Sequence, residues 1–282
     1  MDHLPTDILD RIQAAYYQLT TAERRVADFV LMHHGQVQLM SITQLAEECG
    51  VAEATISRFC RSLKLKGFNA FKLELARHGA PAQPPLQEAN LDTFQGRCRK
   101  ISQASQDAVT QTVDSADARA VSKAVSLFHK ADRVICMGQG GSMIMASECA
   151  HLFSTVSHKF FALMDSHIQV STAATMSKRD VILLFSYSGS TRSGLEILEL
   201  AKAQGASTVL VTRYVKSPAA KLADVALCCG SNEGPFQLGS IPARVAQLVL
   251  MDILFQEFCQ KDPQRCSDSI QRIAAALSEK HV

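Results

Sequence analysis

Between residues 133 and 229 the chain alternates short apolar, β-rich runs with longer segments of helical period. The runs fall at 133–137, 159–163, 180–186, 206–212 and 225–229. Helical segments fall at about 143–156, 166–177 and 193–204, the last closed by Gly205. Strands that alternate with helices pair in parallel, because each crossover helix returns the chain to the same end of the sheet. This pattern predicts a parallel sheet covered by helices on both faces. In such sheets ligands bind outside the carboxyl ends of the strands.

Two loops at those ends carry the chemistry. Gly138-Gln139-Gly140-Gly141-Ser142 follows the first run, and Ser186-Tyr187-Ser188-Gly189-Ser190-Thr191 follows the third. Glycines let a backbone approach a ligand and turn its N–H groups outward. The next helix presents its positive end, which favours an anion. Ser186, Ser188, Ser190 and Thr191 add four hydroxyls, each able to donate to a phosphate oxygen. A nicotinamide dinucleotide fits poorly: Met143 occupies the third glycine position, and Asp165 only approximates the expected acid. No G-x-x-x-x-G-K-[ST] run occurs, which argues against a nucleotide-hydrolysing loop. The plain alternative for the first loop is a tight strand-to-helix turn without a ligand.

Residues 79–85, Gly79-Ala80-Pro81-Ala82-Gln83-Pro84-Pro85, cannot continue a helix. They divide the chain into an N-terminal domain at 1–78, a linker at 79–90 and a second domain at 91–282. The second domain opens with a helical stretch at 91–130. The first 78 residues read as five helices, at about 4–19, from Thr20 or Thr21 through Val30, 41–49, 53–63 and 68–77. Ser41 with Gln44 forms a capping-box pattern, and Cys49-Gly50 suits a left-handed helix end. Across the third and fourth helices, Ala46 permits close approach, Gly50 turns the chain, and Val51 and Ile56 plug the angle. This is a helix-turn-helix pattern. Its second helix offers Thr55, Ser57, Arg58 and Arg61, followed by Lys64, to base edges and phosphates of double-stranded DNA. Residues 54–77 hold six basic side chains (Arg58, Arg61, Lys64, Lys66, Lys72 and Arg77) against Glu74 alone, which suits a phosphate backbone. The plain alternative is a helical bundle with a solvated basic face.

Composition narrows the setting. Hydrophobic residues make up 47% and charged residues 20% of the 282, which is globular. No apolar run approaches the roughly 20 residues of a membrane span, and the first residues lack a secretory pattern, so a cytoplasmic protein without membrane contact is expected. Nine cysteines without a C-x-x-C pair read as reduced thiols, mostly buried, with Cys228 and Cys229 on a strand. Closely spaced zinc ligands are lacking, and neither a metal nor a cofactor is expected.

The two loops, with Ser217-Pro218 and Leu222-Ala223-Asp224 downstream, resemble the sugar isomerase (SIS) domain. Together with the N-terminal helix-turn-helix, the order is similar to the RpiR family of bacterial transcriptional regulators. Residues 241–248 through Asp252 match that family's closing helix. The resemblance covers nearly the whole chain. It implies an all-α helix-turn-helix domain followed by an α/β/α sandwich with a parallel sheet. It implies operator DNA as one partner and a sugar-phosphate effector as the other. Carried over by position, Ser142, Ser186, Ser188 and Thr191 would contact the phosphate, with Gly141, Gly189 and Ser190 shaping the loops. Ser190 stands where many SIS domains carry an acid, which removes a negative charge near the anion.

The competing reading is an SIS-fold sugar-phosphate isomerase or lyase. Such chemistry needs a positioned general base. Glu148, His151, His167 and Glu196 are the candidates. His167 is the best placed of them for contact with the sugar, whereas Glu196 reads plainly as a solvated acid. A helix-turn-helix and a proline-rich linker serve a regulator and not an isomerase, so a non-catalytic role is expected. A third reading, an SIS fold that only dimerises, does not explain four hydroxyls in one loop. SIS domains usually self-associate, so a homodimer or homotetramer is implied, with residues 91–130 and the helix near 267–278 as coupling or dimer segments.

Overall fold

The computed structural model describes residues 8–78, 93–230 and 240–278. The predicted linker at 79–90 and the start of the first predicted helix lie outside them. The described residues form two compact units, one up to Lys100 and one from Ile101 onward.

The first unit contains α1 (Ile8–Ala15), a 3-10 turn (Tyr16–Gln18), α2 (Thr21–Val37), α3 (Ile42–Glu48), α4 (Glu53–Ser62) and α5 (Phe68–His78). The first helix stops earlier than its apolar spacing suggests. Thr20 adopts an extended conformation as the N-cap of α2, so the chain must leave helical geometry before it. Thr20 with Glu23, and Ser41 with Gln44, each form a reciprocal capping box. Ile12, Val26, Val30, Leu45, Ile56, Phe59, Phe71 and Leu75 are fully or almost fully buried in one core cluster.

In the second unit, α6 (Phe94–Ser115) and α7 (Ala118–Lys130) are separated where Asp117 caps α7. Then β1 (Arg133–Gly138), α8 (Gly141–Ser154), β2 (Phe160–Ala162), α9 (Ser166–Ala174), β3 (Asp180–Phe185), α10 (Arg192–Ala203), β4 (Ser207–Thr212), α11 (Pro218–Leu222) and β5 (Val225–Cys228) alternate as predicted. Two long helices follow, α12 (Ile241–Lys261) and α13 (Pro263–Ser278). The closing helix continues well past Asp252, because Leu254 and Phe258 remain buried against the same core.

The five strands are all parallel, in the order β2-β1-β3-β4-β5. Both faces are covered. Val134, Cys136, Val181, Leu183 and Phe185 pack with α7, α8 and α12, while Ile135, Met137, Ile182 and Leu184 pack with α9, α10 and α11. Burial on two faces explains why these strands read as continuous apolar runs. All nine cysteines are free thiols, six of them buried.

At the amino ends of the strands, the Arg133 guanidinium grips the buried Asp180 carboxylate through two hydrogen bonds of 2.8 Å. The backbone N–H and hydroxyl of Ser177 donate to the same carboxylate. The Arg133 bonds hold the carboxyl below its ordinary range, against burial, and Ser177 adds to the effect. A depressed folded-state pKa stabilises above the unfolded value and is lost as pH falls through the folded one. Asp180→Asn is therefore expected to cost about 2 kcal/mol at neutral pH. The difference from wild type should shrink below about pH 4. Urea denaturation at pH 7 and pH 3.5 checks both statements.

Candidate functional site

In the sheet order found here, consecutive crossovers change direction between β1 and β3, the neighbours at the topological switch point. Gly138 ends β1 directly opposite Phe185, the end of β3. The glycine loop and the serine loop therefore leave the sheet level with one another, on adjacent strands. α9 starts at the same end of the sheet, after β2.

The helices of the second unit differ in how they begin. Asp117, Asp165, Ser217 and Ser240 cap α7, α9, α11 and α12 with their side chains. No side chain caps α8 or α10. These two are the helices that follow the glycine and serine loops. The N-cap of α8 is Gly140, with φ at +55°. The N-cap of α10 is Thr191, a residue well suited to capping, yet its Oγ1 lies 3.5 Å from the Ser186 hydroxyl instead. At α8 the Ser142 and Met143 amides bond back to the Gln139 and Gly140 carbonyls, so α10 has the more open terminus. Uncapped N–H groups and a positive helix end together suit an anion.

The loops are held from behind. The Ser188 hydroxyl accepts from the Ser190 amide at 3.3 Å, and the Ser190 hydroxyl donates to the Ser188 carbonyl at 3.1 Å. Thr212 donates to the Tyr187 carbonyl, and the Ala219 amide donates to the Gly189 carbonyl. The glycine loop is braced by Gln169, a fully buried glutamine on α9. Its amide nitrogen donates to the carbonyls of Gly138 and Leu163, and its oxygen accepts from Gln139. Nothing in the sequence marks Gln169, a lone glutamine on a helix. Gly189 is required twice over: its φ is +58°, and a Cβ there would stand 2.0 Å from the buried Ser217 Oγ.

The structure brings together Gly141, Ser142, Ser186, Ser188, Gly189, Ser190 and Thr191 from the two loops. Ser186 is buried, Ser142, Ser188 and Ser190 are half-buried, and Thr191 is exposed. His167 is exposed on the first turn of α9, its backbone N–H bonded to Asp165. The side chain of Arg192, the exposed residue following Thr191, makes no hydrogen bond or ion pair with a described residue. Its position as a cation beside a serine loop was the available signal. Glu148 and His151 face each other at 3.9 Å on the exposed side of α8, and Glu196 is exposed on α10.

In the first unit, α3 closes with the predicted glycine turn. Gly50 has φ at +60°, Val51 N–H bonds to the Ala46 carbonyl, and Gly50 N–H bonds to Glu47. α4 ends in the same double bond, Leu65 to Cys60 and Lys64 to Arg61, but with Lys64 at φ +60°. Among the described residues it is the only non-glycine at positive φ. Arg11 donates to the Leu63 carbonyl at this turn. Arg58, Arg61 and Lys64 are exposed, and Ser57 is half-buried.

Two expectations need correction. Thr55 is not on the exposed face but 5% exposed, packed inward one position before Ile56, and its hydroxyl accepts from Arg58 at 3.3 Å. Lys72 does not join the basic surface. Its ammonium bonds to the Met40 carbonyl and lies 5.4 Å from the Phe68 ring, and burial pushes its pKa down. Two turns along α4 from Thr55, the Ser62 hydroxyl donates to Glu23 of α2. Burial raises the Glu23 carboxyl, but bonds from Thr20 and Ser62, with the Arg58 charge, outweigh it and hold the pKa low. This buried acid anchors α4 to α2.

A helix-turn-helix with a free basic helix, and a doubly wound unit with an anion-suited switch point, define a class: a DNA-binding regulator that carries a small-molecule domain. Comparison with known proteins agrees with that description. Residues 6–82 match the helix-turn-helix domain of the rpiR family, and residues 127–256 match the SIS domain. An HTH-type transcriptional regulator of Caldanaerobacter subterraneus subsp. tengcongensis is 33% identical over 279 residues, covering 98% of this chain and 99% of the relative. HexR, an HTH-type transcriptional regulator of Escherichia coli, is 27% identical, covering 97% and 95%. The solved structure of Vibrio vulnificus NanR complexed with ManNAc-6P superposes with a TM-score of 0.88 at 26% identity, covering 98% of this chain and 100% of that one. The chain belongs to the RpiR family of helix-turn-helix transcriptional regulators with a SIS domain. No described helix is long and apolar enough to cross a membrane.

Gly189→Ala should disrupt the serine loop. Strain at positive φ and the collision with Ser217 are expected to cost about 2 kcal/mol or more, read by urea denaturation. Ser217→Ala, which only removes an α11 cap, should cost about 1 kcal/mol.

Proposed function

We propose that this regulator binds a phosphorylated sugar in the SIS unit and that the sugar alters its affinity for operator DNA. The single observation that carries the reading is the pair of uncapped helices, α8 and α10, beginning beside one another at the switch point. Their hydroxyl-rich loops offer a phosphate both N–H and O–H donors. NanR, similar over its whole length, is a protein complexed with ManNAc-6P, which supports the phosphosugar class. Ser142, Ser186, Ser188 and Thr191 contact the phosphate, Gly141, Gly189 and Ser190 shape the cradle, and His167 meets the sugar. The role is regulatory and not catalytic. Glu148 and His151 pair with each other on an exposed helix face, a poor arrangement for a general base that must reach a bound substrate.

α4 is the recognition helix. Ser57, Arg58, Arg61 and Lys64 meet the DNA, and Thr55 orients Arg58. Lys64 in a left-handed turn supports this assignment, because a backbone outlier that glycine would relieve is kept where a charged side chain has use. The chain acts as a homodimer or homotetramer. Exposed apolar residues on α6 (Phe94, Ile101 and Val113) and α13 (Ile270 and Leu277) suit self-association. Two copies would place two recognition helices on half-sites about one helical turn, or a multiple, apart. The sugar phosphate shifts operator affinity only as far as it binds two conformations unequally, typically about 5–150-fold.

Lys64→Gly separates fold from function: stability should rise by about 1 kcal/mol while operator affinity falls and the salt slope flattens by about one unit. Unchanged DNA affinity would remove Lys64 from the interface. For the effector, purified protein is melted with sugar phosphates and their unphosphorylated parents. A ligand at ~100 times its Kd adds about 2.7 kcal/mol, a shift of a few degrees. Ser188→Ala should lose that shift and keep apo DNA binding. Product appearing in the same mixtures would favour an isomerase or lyase instead.

A further inference from the structure

Helix α6 starts in the first unit and ends in the second, since the two divide between Lys100 and Ile101. Beyond that division the helix is almost bare. Among its residues 101–115, Ala108 and Thr112 alone are buried, one turn apart on one face. Both meet Gly230, the second residue past β5. The Gly230 N–H donates to the Thr112 hydroxyl at 2.9 Å, and that hydroxyl donates to the Ala108 carbonyl at 2.6 Å. The fit leaves no room for a side chain: a Cβ on Gly230 would stand 2.5 Å from the Gln111 Cβ and 2.8 Å from the Ala108 oxygen. Within the second unit, α6 is thus gripped at one buried place.

From this place a short run of hydrogen bonds leads back to the serine loop. Cys229, fully buried and next to Gly230 in the chain, donates its N–H to the Thr212 carbonyl at the end of β4, at 3.0 Å. The fully buried Thr212 hydroxyl donates to the Tyr187 carbonyl at 3.1 Å, and the Arg213 N–H donates to the same oxygen at 3.0 Å. The Thr212 hydroxyl also lies 3.2 Å from where a Gly189 Cβ would be, so it backs the loop directly. Three interactions, at Tyr187, Thr212 and Gly230, thus join the serine loop to α6. Packed interiors move between discrete arrangements and do not deform continuously, so a shift at one end of such a run is passed to the other.

We propose that α6 is the arm through which the serine loop reports its ligand, with Thr112 as the positioning residue at the pivot. A phosphate that draws on the loop hydroxyls moves the Tyr187 carbonyl against Thr212. The end of β4 then shifts Cys229 and Gly230, and Gly230 tilts α6 at Ala108 and Thr112. The proposal rests on the phosphosugar reading above and supplies its route.

The quantity that tests it is the coupling, the ratio of operator affinities with and without effector, which neither fold stability nor either affinity alone determines. The effector is whichever of glucose 6-phosphate, fructose 6-phosphate and N-acetylmannosamine 6-phosphate binds wild type most tightly in calorimetric titration. The operator is a duplex that wild type selects from a random-sequence library. Wild type is expected to show a coupling of about 5–150-fold. Thr112→Val has nearly the same shape without the hydroxyl. It should bind effector in the absence of DNA as wild type does, and melt a few degrees lower because the Gly230 N–H is left unpaired. Its coupling should fall to within about twofold of one. Thr112→Ser, which keeps the hydroxyl, should keep the coupling. Hydrogen exchange on wild type needs no variant: effector should change the protection of the α6 amides around Ala108 and Thr112. Wild-type coupling in folded Thr112→Val would overturn this proposal and spare the phosphosugar reading, and so would α6 amides whose exchange the effector leaves unchanged. Loss of effector binding by Thr112→Val without DNA would overturn it too, since the contact would then serve the site itself. Wild type that binds effector with a coupling of one would overturn the arm and the control of operator affinity together. Wild type that binds none of the three would overturn the phosphosugar reading as well.

Discussion

The parallel pairing of β1 with β3, in register from Arg133 with Asp180 to Gly138 with Phe185, is what the ligand end of the second unit depends on. It brings together two loops that lie almost fifty residues apart in the chain. The crossovers turn opposite ways from these two strands, the arrangement that leaves a crevice for a ligand in doubly wound sheets. The same register places Arg133 against Asp180 at the far end, where a buried carboxylate takes its charge from the guanidinium and Ser177. One end of the strand pair is thus closed by an ion pair, and the other carries the two loops.

Local stability is withheld at a few positions, in the two loops of the second unit and at the end of α4. α8 and α10 begin without side-chain caps, although Thr191 occupies the very position from which a cap would form. Lys64 holds a left-handed turn that glycine would relieve. Each departs from what the local fold prefers, while the surrounding caps, Asp117, Asp165, Ser217 and Ser240, follow the preference. Departures of this kind gather where a ligand or partner completes the structure.

Helix α4 is positioned by buried polar contacts as much as by its apolar face. Ile56 and Phe59 fix α4 in the core, but Glu23 reaches Ser62 from α2, and Thr43 donates to Glu53 across the turn. Arg58 is tied to Thr55 on one side and lies within the field of Glu23 on the other. A side chain held in this way loses less freedom on binding a partner than one that is loose.

Much of this was legible in the order of residues. Strand and helix periods, the glycine and serine loops, the capping box at Ser41, the helix start at Thr20 or Thr21 and the glycine turn at Gly50 are all short-range properties. A few neighbouring residues decide them, so the sequence by itself determined the parallel α/β unit, the helix-turn-helix and the residues of both loops. Thr55 and Lys72 were misplaced because side-chain direction depends on how a helix rotates against its neighbours, and residue type does not encode that rotation. Gln169 was invisible for the same reason: its partners, Gly138, Gln139 and Leu163, meet it only once β1, β2 and α9 are assembled. Strand order, and with it the meeting of two loops at one edge, belongs to the tertiary structure alone. So does the register that sets Gly138 opposite Phe185, because each follows from packing between segments that no local pattern connects.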